Sequence, residues 1–299
     1  MILNHTIMKK NYFTSFQKPW RFLATLLFLF LCCGFMANAQ PIIIDGNPAD
    51  WGEVFNNPPS NVLSTFVVDL KRPDGTDNQF TSGSKDFSDA PGMTWSYSQV
   101  GDKVEITNAG VVIWKDPDTG DDYMYFMGDR LSTNGSAEIG FWVFQNGTAP
   151  VPMPPPPTSS SNFAPDKQIG DILLLFTFTQ GGRVPNLEIY KWKGTTFTGE
   201  ARLEMLQNVP LDMADAYVSN PTAESLPYYV VPTYTDDVYG KWEACNKEKK
   251  ICGYYYDGSF VEGMINLTGL NLELDLCGAT FLTRAFARST ILTTTMRGT

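Results

Sequence analysis

Histidine is almost absent from this 299-residue chain, in which His5 is the sole example. Without a further histidine, a protein cannot build a Ser-His-Asp triad, a histidine-ligated zinc site or an HExxH helix. It also lacks the side chain whose unperturbed pKa lies near neutrality. His5 lies in a segment that we expect to be cleaved. Catalysis by histidine and metal sites with histidine ligands are therefore excluded for the mature protein.

Acidic residues are absent from residues 1–39, which carry four basic residues before an apolar run at 23–36. The run ends at a small-x-small site, residues 37–39, and this order is typical of a secretory signal peptide. Its 14 residues are fewer than the roughly 20 that span a membrane. We therefore predict cleavage between Ala39 and Gln40, and a protein that is secreted or displayed at the cell surface.

The mature chain is strongly acidic. Cleavage leaves 18 Lys and Arg against 32 Asp and Glu, a formal charge near −14. This charge argues against nucleic acid and anionic membrane surfaces as partners, and leaves glycans or cell-surface components as candidates. No later segment resembles a transmembrane helix. Free secretion and a lipoprotein acylated at Cys32 or Cys33 both remain open, although bulky residues precede these cysteines.

Three cysteines remain after cleavage: Cys245, Cys252 and Cys277. Disulfides form and persist outside the cytoplasm. Cys245 and Cys252 bracket a short loop, so a hairpin disulfide is the simplest pairing, and the alternative joins Cys277 to one of them. One cysteine must stay unpaired or bond another molecule. The CxxC spacing of redox and zinc sites is missing.

The mature chain shows β-strand patterns almost throughout. Runs rich in β-branched and aromatic residues alternate with turn residues, which is typical of strands. Some runs, such as 172–178, are apolar nearly throughout and predict burial on both faces. We predict an all-β fold, a jelly-roll-like β-sandwich with long loops and at most one or two short helices, at 280–288 and 201–206. The predicted strands are 62–70, 103–107, 110–115, 123–129, 137–145, 172–179, 187–193, 228–235, 253–256, 260–266 and 289–296.

Proline is concentrated in residues 149–165, where seven of 17 residues are proline. Such a segment favours polyproline-like conformations and could separate two domains. Neither flank looks self-contained, however. We therefore predict a single sandwich domain, residues 40–299, with a proline-rich loop at 149–165.

Carboxylates crowd one predicted turn, at Asp116, Asp118, Asp121 and Asp122. Calcium takes hard oxygen ligands of this kind, so these four residues are candidates for a structural calcium site. The spacing lacks the 12-residue register of an EF-hand loop. The alternative is a simple hairpin turn, in which Asp and Gly are good turn formers. No other cofactor is expected.

Tyrosine is concentrated near the C-terminal third, where seven of the 13 tyrosines fall between residues 228 and 256. Aromatic faces pack on the C–H-rich faces of sugars, so this cluster is a candidate glycan platform. The alternative is structural, because tyrosine is a favoured strand residue. The candidate ligand-binding residues are Tyr228, Tyr229, Tyr234, Trp242, Tyr254 and Tyr256.

A pair of carboxylates suffices for glycoside hydrolysis, which needs no histidine. Glu138, Glu188 and Glu262 lie in strand-like contexts from which they could face a cleft. Their spacing matches no catalytic motif. A carboxylate-dependent glycoside hydrolase is therefore an alternative, and the leading interpretation is a non-catalytic protein without catalytic residues.

A recurrent pattern runs through residues 102–110, 123–144, 170–182, 187–192, 260–268 and 280–289. These blocks resemble the largely uncharacterised β-rich N-terminal modules of large exported bacterial surface proteins, of Bacteroidota and actinobacterial type. The resemblance spans about residues 85–295, and it implies export and a surface or adhesion context but no catalytic residues.

The segment Ile44-Asp-Gly-Asn-Pro-Ala-Asp-Trp51 is similar to the opening strand and turn of family 9-type carbohydrate-binding modules. This similarity implies a glycan-related role. Taken together, these patterns predict an exported surface or secreted recognition module that binds carbohydrate. The alternatives are a structural N-terminal module of a larger surface or adhesin assembly, and the hydrolase.

Overall fold

The computed structural model describes residues 40–69, 76–81, 85–99, 101–102, 105–133, 137–153, 160–179, 184–207, 209–210, 212–221, 228–236, 240–247, 250–276, 278–285 and 291–295. Ala39 and Cys277, together with residues 154–159 of the proline-rich segment, lie outside this set. Gln40–Thr299 form one compact unit. None of the helices in the described ranges has the length and hydropathy needed to cross a membrane.

Strands dominate the described residues, and a single α-helix, α1, covers Ala49–Asn56. The strands, numbered in chain order, are β1 (Val62–Val68), β2 (Thr76–Phe80), β3 (Thr94–Gln99), β4 (Asn108–Lys115), β5 (Asp122–Asp129), β6 (Ala137–Phe144), β7 (Ala149–Pro150), β8 (Ser161–Ala164), β9 (Ile172–Thr179), β10 (Val184–Trp192), β11 (Leu203–Met205), β12 (Ala214–Val218), β13 (Tyr229–Val230), β14 (Thr235–Asp236), β15 (Gly240–Lys241), β16 (Cys245–Asn246), β17 (Ile251–Cys252), β18 (Tyr254–Tyr255), β19 (Phe260–Asn266), β20 (Thr280–Ala285) and β21 (Ile291–Thr295).

Two antiparallel sheets form the centre of the protein. One has five strands in the order β1-β4-β5-β19-β12, and the other has six in the order β11-β10-β9-β6-β20-β21. Apolar side chains from both sheets, such as Phe126 of β5 and Phe141 and Phe176 of neighbouring β6 and β9, pack together between them. This arrangement confirms the predicted all-β sandwich.

Both faces of the central strands are buried, as their continuous apolar sequences predict. Because successive strand residues point to opposite faces, Leu174 of β9 enters the core between the sheets, while Leu173 points to the outer face. That outer face is covered by Phe80 of β2, Trp95 of β3 and Phe163 of β8. These strands belong to a third, smaller sheet in the order β2-β3-β8-β7.

The proline-rich segment begins and ends in this covering sheet. Ala149 of β7 lies opposite Ala164 of β8, and β8 also pairs with β3, where Ser161 lies opposite Trp95. The two ends of the segment are thus held against the same structural unit.

The outer face of the five-stranded sheet is covered by α1 and by the tyrosine-rich region. Trp51 and Phe55 of α1 pack with Trp242 and Tyr255 over strands β1, β4, β5 and β19. The hairpin of β16 and β17 borders this region, with Cys245 directly opposite Cys252. These two cysteines form a disulfide, which is the simplest pairing that the sequence predicts.

The motif at residues 44–51 is held by Glu262, a fully buried residue in the middle of β19. The backbone N–H groups of Asp45 and Gly46 donate to Glu262 Oε1 at 2.9 and 2.5 Å, and Trp51 Nε1 donates to Oε2 at 2.6 Å. Burial raises the pKa of Glu262 to about 8, and these donors partly oppose the shift. The motif is therefore a clasp between the N-terminal segment and the sheet.

A glycine is required at position 46 of this clasp. Gly46 has a φ of +85°, a conformation that favours glycine. A Cβ atom there would lie 2.4 Å from the carbonyl oxygen of Val218, so a side chain would also collide with β12.

Of the two short helices predicted from the sequence, the one at 280–288 is wrong over its described part, residues 280–285, and the one at 201–206 is helical only at its start. Residues 280–285 form β20, in which Phe281 enters the core between the sheets and Leu282 packs on the outer face. Pairing with β6 on one side and β21 on the other satisfies the backbone, so sheet context overrides the helix-like spacing. Residues 201–206 contribute to a 3₁₀ helix, Gly199–Arg202, followed by β11.

At pH 9, above the pKa of about 8, we expect Glu262→Gln to destabilise the protein by about 1–3 kcal/mol, because an amide cannot accept from all three N–H donors as the ionised carboxylate does. Trp51→Phe removes one donor, and the double variant should show a coupling energy above about 0.5 kcal/mol. Urea denaturation of the four proteins measures both quantities. Glu53→Gln on the exposed side of α1 is the matched control, and additive effects at Trp51 and Glu262 would refute the clasp.

Candidate functional site

A cleft of about 400 Å³ opens on the outer face of the six-stranded sheet, where the covering sheet leaves the strands uncovered. Its floor is apolar and is formed by Leu173 and Leu175 of β9 and Leu203 of β11. Tyr190 of β10 lies beside them. The volume is within the range of ligand pockets, roughly 300–1,000 Å³.

Charged side chains form the walls of this cleft. Glu138 of β6 and Arg284 of β20 reach it from the sheet, because both occupy outward positions of their strands. Two short 3₁₀ helices add Lys85, Asp86 and Phe87 from one side and Glu200 from the other. The cleft therefore combines an apolar floor with hydrogen-bonding groups of both charges.

Asp86 is the centre of a buried ion-pair network at the edge of the cleft. Its Oδ2 pairs with Arg284 Nη2 at 2.6 Å and with Lys85 Nζ at 3.4 Å, and its Oδ1 accepts from Trp142 Nε1 at 3.0 Å. Burial opposes ionisation of Asp86, but the charges of Arg284 and Lys85 hold its pKa at about 2. The network thus fixes the side chains of Lys85 and Arg284, here termed the cationic wall of the cleft.

Gly140 makes room for the guanidinium group of Arg284. A Cβ atom at this position of β6 would lie 2.9 Å from both Cζ and Nε of Arg284. Within the cleft wall, Nε and Nη1 of Arg284 are buried without hydrogen-bond partners, and only Nη2 pairs with Asp86. A side chain at position 140 would therefore displace the guanidinium group.

Lys167 is buried beneath this network, between two indole rings. Its Nζ lies 4.1 Å from the ring centroid of Trp142 and 4.4 Å from that of Trp192. The same Nζ donates to the carbonyl oxygens of Lys85 at 3.3 Å and Asp86 at 3.0 Å. Burial lowers the pKa of Lys167 to about 7, and burial together with Arg284 lowers that of Lys85 to about 8.

The hydroxyl of Tyr190 is hydrogen-bonded to one glutamate and is influenced by the charges of two others at the cleft. The hydroxyl donates to Glu188 Oε2 at 2.7 Å. Burial and Glu188, with smaller contributions from Glu138 and Glu200, raise the pKa of Tyr190 to about 12. Of the three glutamates that the sequence nominates for hydrolysis, Glu138 and Glu188 thus share this region, whereas Glu262 lies in the clasp on the other sheet.

The aromatic residues nominated as a glycan platform separate into two groups. Tyr229 and Trp242 are buried, and Tyr234 packs its ring 5.2 Å from Phe55 inside the same cluster. The second group, Tyr228, Tyr254 and Tyr256, stays half-buried near the surface. The ring centroid of Tyr228 lies 4.4 Å from that of Tyr254 and 6.2 Å from that of Tyr256.

A series of buried hydrogen bonds links Trp242 to Asp129 through Tyr255. Its Nε1 donates to the Tyr255 hydroxyl at 2.8 Å, and that hydroxyl donates to Asp129 Oδ2 at 2.5 Å. The backbone N–H groups of Thr107 and Asn108 donate to Asp129 Oδ1. Trp242 and Tyr255 are therefore structural residues in the tyrosine-rich region.

The four nominated calcium ligands lie in the turn between β4 and β5. The Asp116 carboxylate accepts from the backbone N–H of Asp118 and from the Thr119 hydroxyl, as in a hydrogen-bonded turn. Asp121 Oδ2 accepts from the Asn266 amide at 2.9 Å, and Asp122 pairs with Lys115 at 3.2 Å. Groups of the turn thus engage the Asp116 carboxylate, whereas Asn266 of β19 and Lys115 of β4 engage those of Asp121 and Asp122.

A different group of acids comes closer together. Asp69, Asp77 and Glu105, here termed the carboxylate cluster, each place one oxygen within 4.8 Å of the others. Partial burial and the carboxylates of Asp77 and Glu105 raise the pKa of Asp69 to about 9. Sequence reasoning missed this cluster because its members are far apart along the chain and follow no spacing motif.

Sequence reasoning also missed the cationic wall of the cleft. Arg284 lies in a segment read as a helix, and Lys85 and Asp86 lie between predicted strands. Leu282 and Arg284 are two residues apart and share one face of β20, and this strand-like spacing was the available sequence signal. Comparison with models of protein families, with curated proteins and with solved structures gives no match to this chain.

We expect Lys167→Met to remove a pH dependence of stability. A lysine whose pKa falls from 10.5 to about 7 on folding binds fewer protons in the folded state, so wild-type stability rises with pH between these values. The free energy of unfolding of wild type relative to Lys167→Met should therefore rise by up to about 2 kcal/mol from pH 7 to pH 9.

Urea denaturation at pH 7, 8 and 9 measures this difference. Lys241→Met, at an exposed lysine, controls for the loss of one positive charge. A difference between wild type and Lys167→Met that stays constant over this range would show that Lys167 remains protonated between the two indoles.

Proposed function

We propose that this protein is an exported recognition module that binds a glycan in the cleft of the six-stranded sheet. The observation that carries the proposal is the combination of an apolar floor, Leu173 and Leu175, with charged groups of both signs on the walls. Sugars present apolar C–H faces and hydroxyls that both donate and accept hydrogen bonds. A cleft with both kinds of surface suits such a ligand.

Each wall of the cleft matches one part of a sugar. Tyr190 and Phe87 offer aromatic faces for C–H groups, and the carboxylates of Glu138 and Glu200 accept from hydroxyls. Lys85 donates from the opposite wall. Because the ion pairs with Asp86 fix the cationic side chains, little side-chain entropy is lost on binding.

The signal-like N-terminus supports export, and the similarity of residues 44–51 to carbohydrate-binding modules supports a glycan ligand. The clasp itself serves the fold, since Glu262 and Trp51 bind each other. In the proposal the motif therefore indicates the kind of module, and the cleft supplies the binding site.

A glycoside hydrolase is the second candidate, because Glu138 and Glu200 line one cleft. Hydrolysis needs two carboxyl groups on either side of a glycosidic bond. Release of new reducing ends from a bound polysaccharide, abolished by Glu138→Gln, would favour this function over pure recognition.

The test is a glycan array probed with the purified protein, followed by calorimetric titration of each hit. Glu138→Gln and Glu200→Gln should each weaken binding about tenfold or more, because each removes a charged hydrogen-bond acceptor. Glu204→Gln, at an exposed glutamate on β11, is the matched control and should bind as wild type does.

Two results would contradict the proposal. One is the absence of binding across neutral, amino and acidic glycans. The other is binding that persists in both cleft variants but is lost in Tyr254→Ala, which would place the ligand on the half-buried tyrosines instead.

A further inference from the structure

The carboxylate cluster joins three separate segments of the chain. Asp69 directly follows β1, Asp77 lies within β2, and Glu105 precedes β4. The backbone N–H of Asp69 donates to the carbonyl oxygen of Thr107, so Asp69 and Glu105 both belong to the end of the five-stranded sheet. Asp77 belongs to the covering sheet. The cluster therefore lies where the two sheets meet.

Asp77 is the side chain that sets this cluster apart from an ordinary group of surface acids. It is 3% exposed, and its Oδ1 accepts from the backbone N–H of Asn78 at 2.7 Å. Its Oδ2 is buried, as is Oδ2 of Asp69, and neither oxygen accepts from an N–H or hydroxyl group. The two carboxyl groups can hydrogen-bond to each other only while one of them is protonated. A buried carboxylate oxygen without a partner costs free energy, and a bound cation removes that cost.

Charge argues in the same direction. One carboxylate oxygen from each of Asp69, Asp77 and Glu105 lies within 4.8 Å of the others. Like charges at this separation repel strongly where water is excluded. Glu105 is 1% exposed, so solvent screens little of this repulsion.

We propose that Asp69, Asp77 and Glu105 bind a calcium ion that joins the covering sheet to the end of the five-stranded sheet. The three ligand oxygens lie within 4.8 Å of one another, close enough to share one calcium ion at Ca–O distances of about 2.3–2.6 Å. Magnesium usually binds through one or two carboxylates and keeps several waters, so a set of three carboxylates favours calcium. Among the described residues the cluster consists of three carboxylates without a histidine or cysteine, which favours a hard cation over zinc or copper.

This site is distinct from the turn at residues 116–122. There, hydrogen bonds of the turn and the ion pair with Lys115 already engage the carboxylates. In the carboxylate cluster, by contrast, Asp77 Oδ2 is buried and accepts from no N–H or hydroxyl group. The two sites can be separated by single substitutions.

The test measures the melting temperature of the purified protein in EDTA and in calcium chloride. At a free calcium concentration 100 times Kd, the melting temperature should rise by about 5–10 °C. Asp77→Asn should lose this rise. In EDTA it should melt at or above the wild-type temperature, since it removes the buried charge of a carboxylate whose Oδ2 has no N–H or hydroxyl donor. Asp118→Asn in the turn is the matched control and should keep the full rise.

Terbium luminescence provides a second measurement that does not depend on the stability of a variant. Terbium should bind the wild-type protein, calcium should displace it, and Asp69→Asn should bind it at least tenfold more weakly. An unchanged wild-type melting temperature together with no displaceable terbium would overturn the proposal. A calcium-dependent rise that Asp118→Asn abolishes and Asp77→Asn retains would overturn it in favour of the turn.

Discussion

The structure depends on the burial of both faces of its two central sheets. A sandwich usually leaves its outer faces to solvent, but here α1 with the tyrosine-rich region covers one sheet and the β2-β3-β8-β7 sheet covers most of the other. A polar side chain that is buried at an outward strand position is therefore stabilised by a partner within the protein. Glu262 on one sheet and Arg284 on the other are the clearest cases, and each organises the segment that covers it.

The two outer faces meet this requirement in different ways. Glu262 binds neutral donors, the backbone N–H groups of the N-terminal segment and the indole of Trp51. Arg284 pairs with a counter-charge, Asp86, and Lys167 adds a second cation that lies between two indoles. The first solution makes a closed clasp. The second leaves the edge of the network open to a cleft, because the covering sheet ends beside it.

The sequence predicts the sandwich well because its strongest signal is local. Strands such as β9 and β19, at residues 172–179 and 260–266, have the predicted bounds, since continuous apolar and β-branched runs have few other stable conformations. The predictions for short segments were less accurate. The strand at 280–285 carries helix-like spacing, and only pairing with β6 and β21 identifies it as a strand. Helix α1 was missed because its eight residues lie directly after a turn motif.

The candidate sites were harder to predict because their members meet only in three dimensions. Tyrosine clustering between residues 228 and 256 is visible in the sequence, yet burial, which decides whether Trp242 or Tyr254 is accessible, depends on packing against α1 and β1. Asp69, Asp77 and Glu105 show no pattern at all. Charge balance then separates the two sites that the fold creates. The cleft holds cations and carboxylates together and so suits a polar ligand of low net charge, whereas the carboxylate cluster gathers acids at a buried junction and so suits a cation. A bound cation would strengthen the covering sheet, and with it the wall that carries Lys85 and Asp86.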